Sequence, residues 1–469
     1  MTIVKPLLLS VSALALAACA AGPDYRAPSL REASPSSLTV SSPAVDAASP
    51  ARDDWWRLYR DPVLDGLIAD ALEANTDIRA AVARVARARA LLRGAGADRL
   101  PQTDIGAGAT YGRTAAMERA PGADREDWRF DTGLSVAYEV DLFGRVNRGV
   151  EAARGDLAAA AADAAAVRVA VVAETARAYA DAASAAERLD VARRVVELLD
   201  ESVALTSRRA EEGLATELDT ARIAALRDQR QADIPAIAAE RRAALLRLAM
   251  LTGRTPQELP PVAAARATTL RLDEPIPVGD GMAYLTRRPD VHAAERRLAA
   301  ATARIGVAVS DLYPKVSLGG SIGSTTNDAD NLFGSGPLRW LLGPLITWSF
   351  PNQEAVRAQI AAARADNQAA LAAFDGTVLK ALQEVETALS NYTRLLERRA
   401  FLQSARDQAQ RAVAITRAQQ REGRIDGLTA LDAERTFAET QADLALADAR
   451  IADAQVDLFR ALGGTWQPS

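Results

Sequence analysis

The chain carries one cysteine, Cys19, and one histidine, His292, in 469 residues. A lone cysteine excludes an internal disulfide. A lone histidine excludes the common histidine-rich metal sites and argues against a histidine-based catalytic triad. Aromatic residues make up only 5% of the chain, while alanine and arginine are abundant. That balance favours long helices over one large globular core. Beyond the N-terminus no apolar run reaches the about 18 residues that would suggest a membrane-crossing helix. The net charge of −5 is mild and negative, which speaks against nucleic acid as a partner. No constellation of nucleophile, acid and base stands out. The sequence does not read as an enzyme and implies no metal and no cofactor.

What is present begins at the N-terminus. Lys5 precedes an apolar stretch from Leu7 to Ala18, the pattern of a secretory signal over residues 1–18. The signal ends in Leu16-Ala17-Ala18-Cys19, the ending of a bacterial lipoprotein signal. Cleavage before Cys19 leaves its thiol and amine to carry acyl chains. The competing reading is a signal followed by an incidental buried cysteine. Cys19 falls where lipidation requires a thiol, which favours the lipid. Ala20 follows, not the Asp that tends to retain lipoproteins in the inner membrane. The expected place is the inner leaflet of a bacterial outer membrane, with the body in the periplasm. Residues 19–54 then read as an extended linker rich in Pro, Ser and Ala, with order expected from Trp55-Trp56. Asp61-Pro62 opens a helix, because proline suits a first helical turn.

The hydrophobic period then changes. Thr103, Ile105, Ala107, Ala109 and Tyr111 alternate with smaller or polar residues, as do Leu134, Val136, Tyr138 and Val140. Val316, Leu318, Gly320 and Ile322 form a third alternating run, and a fourth candidate lies around Trp340 to Phe350. About ten residues is the length of a membrane-spanning strand. Periodicity alone does not separate this from a soluble four-stranded sheet. Trp128, Trp340 and Trp348 suit either an interfacial belt or sheet packing.

Long helices follow each strand pair. Leu189, Ala192, Val196, Leu199, Val203, Thr206, Ala210 and Gly213 keep an unbroken 3-4 spacing, a coiled-coil seam of small residues. Pro235 falls inside the next helix and is expected to kink it. The chain also repeats itself. Thr206 to Gly213 matches Thr416 to Gly423 at an offset of 210, with Leu218 answering Leu428. The predicted organisation is a first repeat over 55–254, with strands about 102–141 and long helices about 144–253. A connecting segment follows over 255–310. The second repeat spans 311–469, with strands about 314–350 and helices about 352–463. Gly213 and Gly423 are predicted to end their helices at hairpin tips, since glycine supplies the left-handed conformation of a helix end.

Several words, in order along the chain, carry a family resemblance. They are Gly22-Pro-Asp-Tyr-Arg-Ala-Pro28, Trp55-Trp56 with Asp61-Pro-Val-Leu-Asp65, and Tyr138-Glu-Val-Asp-Leu-Phe-Gly-Arg145. Arg287-Arg-Pro-Asp-Val291, Ile305-Gly-Val with Tyr313-Pro, and Leu462-Gly-Gly-Thr-Trp466 complete the set. Together they resemble the outer-membrane efflux channels of the TolC superfamily, nearest the lipidated OprM/NodT-like branch. Two departures stand out: Phe350-Pro-Asn-Gln353 lacks the glycine usual where the fourth strand enters its helix, and Thr429 stands where the family tip often has a first acid.

The resemblance implies a mainly α fold with a membrane β-barrel part, four strands and long coiled-coil helices per protomer. Four strands are too few to close a barrel, so a homotrimer is expected. It further implies a passive conduit coupled through a periplasmic adaptor protein to an inner-membrane efflux pump. Asp432, in Leu431-Asp432-Ala433, matches the family's constriction ring; Asp219 is a weaker candidate. Two rivals remain open: a channel for type I protein secretion, and a lipidated coiled-coil scaffold, which leaves the four strands unexplained.

Overall fold

The computed structural model describes residues 21–28, 42–115, 117, 122, 124–279, 283–334, 336–425 and 427–464. The signal at 1–18, Cys19 and Trp466 lie outside the described residues. Order begins before Trp55. Residues 45–46 form a short strand, β1 (Val45–Asp46), paired in parallel with β4 (Ile276–Pro277). Residues 21–28 pack against the body, as described below. The sequence expectation of a featureless linker as far as residue 54 is therefore corrected at both ends. Proline-rich composition excludes helix, but an extended chain still pairs with a strand.

Helix α1 (Pro62–Ala74) starts as predicted. Asp61 accepts hydrogen bonds from the Val63 and Leu64 amides, with Pro62 in the first turn. Just before it, Trp55 is buried and stacked on Phe459, with ring centroids 4.7 Å apart. Then come α2 (Thr76–Ala97), β2 (Gln102–Arg113), β3 (Glu126–Val140), α3 (Arg145–Glu211) and α4 (Glu217–Leu251). Between α4 and β5, over the segment read as a connector at 255–310, lie β4, α5 (Ala283–Arg287) and α6 (Pro289–Ser310). β5 (Lys315–Thr326), β6 (Leu338–Thr347), α7 (Glu354–Arg421) and α8 (Gly427–Ala461) complete the chain. Helix α4 is assigned without a break across Pro235. At 67 and 68 residues, α3 and α7 are each about 100 Å long.

The duplication is deeper than the sequence words reveal. α2 and α6 both have 22 residues, β2 and β5 both have 12, and α4 and α8 both have 35. Each repeat is therefore helix, strand, strand, long helix, helix, and α6 belongs to the second repeat, not to the connector. The Ala/Arg-rich α2 has so weak an apolar stripe that its kinship with α6 is not legible by eye.

The chain divides into two compact units. One comprises Met1–Pro28, Arg84–Ala160 and Ala293–Asp375; the other comprises Ser29–Ala83, Ala161–His292 and Gly376–Ser469. The first holds a four-stranded antiparallel sheet in the order β2-β3-β5-β6. Register places Ile105, Leu134, Ile322 and Trp340 in one row across it. All four are exposed or half-exposed, Ile105 at 80% and Trp340 at 74%. A soluble sheet would cover such a row, whereas a lipid-facing sheet presents it. At the ends of the strands Tyr111, Trp128 and Phe130 cluster, and Trp348 stacks on Phe350. Where the fourth strand's turn lacks a glycine, Asn352 accepts the Glu354 amide and Gln353 holds the Leu312 carbonyl. Among the described residues, no helix is long and apolar enough to cross a membrane.

In the second unit the predicted seam is real: Leu189, Val196, Leu199 and Thr206 of α3 are buried. Gln455 of α8 is fully buried and makes four hydrogen bonds to three residues. It accepts from Tyr59 Oη and the Leu272 amide at 3.2 Å, and its amide nitrogen reaches the Leu272 carbonyl and Tyr392 Oη. Every polar atom of this buried side chain is thereby satisfied, which ties the connecting segment to α7 and α8.

Candidate functional site

The two helical turns form one site at the end of the second unit. α3 ends with a Schellman motif: Gly213 donates to the Ala210 carbonyl and Leu214 to the Arg209 carbonyl, with Gly213 at φ 74°. α7 ends the same way. Gly423, at φ 70°, donates to Gln420, and Arg424 to Gln419. The two predicted tip glycines thus do the same work at equivalent positions. The turns lie against each other. Arg209 Nη1 donates to the Gln420 carbonyl at 2.8 Å, and a Cβ placed on Gly427 would meet Asp219 Cγ at 3.7 Å. A cavity of about 280 Å³ separates them, bordered by Thr206, Arg209, Gly213, Thr216, Asp219 and Gln420.

The tip's acids divide into three roles. Asp219 belongs to a capping box at the start of α4. Its carboxylate accepts from the Thr216 amide at 3.0 Å, and its amide donates to Thr216 Oγ1 at 3.2 Å. Asp432 is on the surface of α8, its side chain 66% exposed, with Arg435 Nη2 at 2.7 Å. An exposed pair of this kind contributes little stability. Glu434, two residues on, is 6% exposed. Its Oε1 accepts from Ser202 of α3 at 2.7 Å and from Arg417 of α7 at 3.0 Å. One carboxylate therefore ties three helices together beside the apolar cluster of Val195, Leu199, Leu226, Leu431 and Ala438.

Sequence reasoning missed Glu434. The signal was there: Leu431, Glu434 and Ala438 lie on one 3-4 stripe, so the acid occupies an inward position where an apolar residue is usual. His292 is a half-buried residue whose Nε2 lies 3.0 Å from the Thr286 carbonyl. Cys19 lies outside the described residues. Among the described residues no group of three or more His, Cys, Asp or Glu side chains could hold a metal ion.

A second acidic pair lies farther along the same helices. Asp181 of α3 and Asp453 of α8 share a hydrogen bond. Burial and the neighbouring Asp181 raise the Asp453 carboxyl to about 7. Asp181 is raised too, chiefly by burial, with Arg247 opposing at 3.5 Å. Arg177, which pairs with Asp457, also opposes the rise at Asp453.

Comparison with known proteins follows the same outline. A sequence model of the outer membrane efflux protein family matches residues 67–254 and 283–464, the two repeats. Outer membrane protein OprJ of Pseudomonas aeruginosa is 31% identical over 97% of this chain and 94% of its own length. Pyoverdine export outer membrane protein OpmQ of Pseudomonas putida is 31% identical over 100% of this chain and 99% of its own. The solved structure of the outer-membrane channel OprN superposes with a TM-score of 0.89 at 35% identity, covering 96% of this chain and 100% of that one.

Proposed function

The chain belongs to the outer membrane efflux protein family and is an outer-membrane efflux channel, and we propose that it works as a trimer lipidated on Cys19. Its fold is that of the TolC-like channels, and the helical body extends into the periplasm. The observation that carries the assembly is the open sheet, and the count of three follows the TolC-like channels that the chain resembles. Among the described residues β2 and β6 each have one unpaired edge, and unpaired backbone groups are not tolerated in lipid. A single sheet of four strands falls short of the about eight that the smallest membrane barrels need. Three copies supply twelve strands, and β6 of each protomer then pairs with β2 of the next.

The channel is a passive conduit. An inner-membrane pump supplies the energy, and a periplasmic adaptor meets the channel at the tips around Gly213 and Gly423. OpmQ, named for pyoverdine export and alignable end to end, supports small-molecule cargo over secreted protein. Asp432 supplies one carboxylate per protomer, and three-fold symmetry makes these a ring at the closed tip. Cross-linking of the purified protein in mild detergent tests the trimer. Species of up to three chains are expected, together with single-channel conductance in planar bilayers. A stable monomer with intact β-structure overturns it.

A further inference from the structure

The sequence directly after Cys19 is built into the body at one place. The Ala21 amide donates to the Phe143 carbonyl at 2.9 Å. Gly22, at φ 88°, lies so close to Gly306 of α6 that a Cβ on Gly22 would come within 2.5 Å of the Gly306 Cα. A Cβ on Gly306 would in turn meet the Ala21 carbonyl oxygen at 2.9 Å and Arg148 Cγ at 2.8 Å. Neither position has room for a side chain. Arg148 of α3 is itself buried, with only 8% of its side chain exposed. Its guanidinium donates to Asp24 at 2.6 Å and to Glu151 at 2.8 Å. Tyr25 donates to Glu295, while the Arg296 guanidinium lies 6.0 Å from the Tyr25 ring centroid.

The receiving surface is the base of the sheet. Phe143 follows β3 by three residues and Tyr313 precedes β5 by two, and their rings stack with centroids 4.5 Å apart. β3 and β5 are the two central strands. Cys19 precedes Ala21 by two residues in the sequence. A buried arginine, two facing glycines and a backbone hydrogen bond are more than a passing chain needs. A simple tether would be polar and free.

We propose that residues 21–25 are a clamp that seats the acylated N-terminus on the base of the central strands, with Gly22, Gly306 and Arg148 as positioning residues. The anchor and the strand ends then reach the bilayer as one body, which assists insertion of the trimer. This rests on the reading that Cys19 is lipidated.

Gly22→Val unseats the clamp without altering a residue of the body. Hydrogen exchange of the full-length protein reads the seating directly: the peptide containing Ala21 is protected in wild type and loses protection at least tenfold in Gly22→Val. Radioactive palmitate labelling should be unchanged in that variant. The fraction of heat-modifiable trimer in outer membranes should fall several-fold. The same fall is expected when a flexible Gly-Ser spacer is inserted between Ala20 and Ala21, which leaves the clamp seated but frees the lipid. Added to Cys19→Ser, Gly22→Val should bring no further fall. The proposal is overturned if trimer yield is unchanged in Gly22→Val or in the spacer variant. It is equally overturned if Gly22→Val lowers yield by the same factor with and without Cys19, because the contacts then act on the body alone. The lipid reading fails separately, if wild type takes no label or Cys19→Ser keeps it.

Discussion

The two repeats share a backbone plan and differ in what they bury. Helices α4 and α8 are equal in length and offset by 210 residues, and both follow a glycine in the left-handed conformation. Yet α4 buries six residues and α8 buries thirteen, including Glu434 and Gln455. At the offset of 210, Glu434 corresponds to Ala224, Asp432 to Arg222, Asp453 to Ala243, and Thr429 to Asp219. The duplicated scaffold is therefore electrostatically unequal. The second hairpin carries an inward acid, an outward acid and a protonatable acid where the first carries alanine, arginine and alanine. The first keeps its acid for a cap. Turn geometry is set by glycine and survives duplication with little side-chain help. The charged contacts are individual additions, and they concentrate on the helix that packs inward.

The hardest test of that inequality is Glu434. Removing it takes the charged acceptor from the Arg417 guanidinium and the Ser202 hydroxyl and leaves them the Leu198 carbonyl, at 3.5 Å and 3.1 Å. Glu434→Ala is expected to destabilise the helical tip by about 3 kcal/mol. Ala224→Ser, at the equivalent place, should change it by less than about 0.5 kcal/mol. Hydrogen exchange of peptides from the tip, compared with sheet peptides as an internal control, measures both. Similar losses at the two positions would mean that the repeats are not unequal in this respect.

Next in size are the two glycines, where the repeats should behave alike. A β-branched side chain at φ near 70° costs about 2 kcal/mol in either turn. Gly213→Val and Gly423→Val should both disturb the tips and leave heat-stable trimers in the membrane. If the tips couple the channel to a pump as proposed, efflux assays in cells should show the larger loss for Gly423→Val, since Asp432 and Glu434 follow that turn. If trimers fail to form in either variant, the turn is needed for folding and not only for coupling.

Asp453 has no acidic counterpart in the first repeat, and it gives a pH dependence of known sign. Its carboxyl is raised from 3.8 to about 7 in the folded protein by burial and by Asp181. The folded state therefore holds a proton that the unfolded chain releases above about pH 4. This stability is fully present below that pH, is lost as pH rises toward 7, and stays lost above it. Asp453→Asn imitates the protonated form. It should match wild type near pH 4 and dissociate a few degrees higher at pH 8, read as the temperature of trimer dissociation. Arg177, Arg247, Asp457 and Glu174 face the pair. A gap between variant and wild type that does not change with pH would remove the shared proton.

Most of this fold was legible because it rests on period and punctuation. Alternation over 103–111 and 134–140 marked strands, Asp61-Pro62 marked a helix start, and Gly213 and Gly423 marked the turns. The lesser elements were hidden for physical reasons. β1 is two residues in a proline-rich stretch, and it exists only because β4 lies alongside it. The docked segment at 21–25 depends on Gly306 and Arg148, more than 120 residues away in sequence. Glu434 lay in plain view on an apolar stripe, but which residues meet a buried acid is decided by packing. Asp219 drew notice as a charge near a tip, whereas its partner Thr216 three residues earlier spelled a helix cap.

Asp432 should have the smallest effect on stability and the most specific effect on transport. It is exposed and, among the described residues, its side chain pairs with Arg435 on its own helix, so Asp432→Ala should change stability by less than about 0.5 kcal/mol. In a trimer three such carboxylates would face one axis, and a narrow mouth with low-dielectric walls would strengthen their field. Multivalent cations should then bind the ring and block current. Arg435 opposes this by neutralising part of each charge, so Arg435→Ala should deepen the block while Asp432→Ala weakens it and lowers cation selectivity. Arg222, the counterpart of Asp432 in the first repeat, serves as the control: if the acid acts through its place on the second hairpin alone, Arg222→Ala should shift the block less than either change. Planar-bilayer recordings with a trivalent cation added on the periplasmic side read all three variants. Equal block in wild type and Asp432→Ala would remove Asp432 from the pore and leave it a solvated residue on the outer wall.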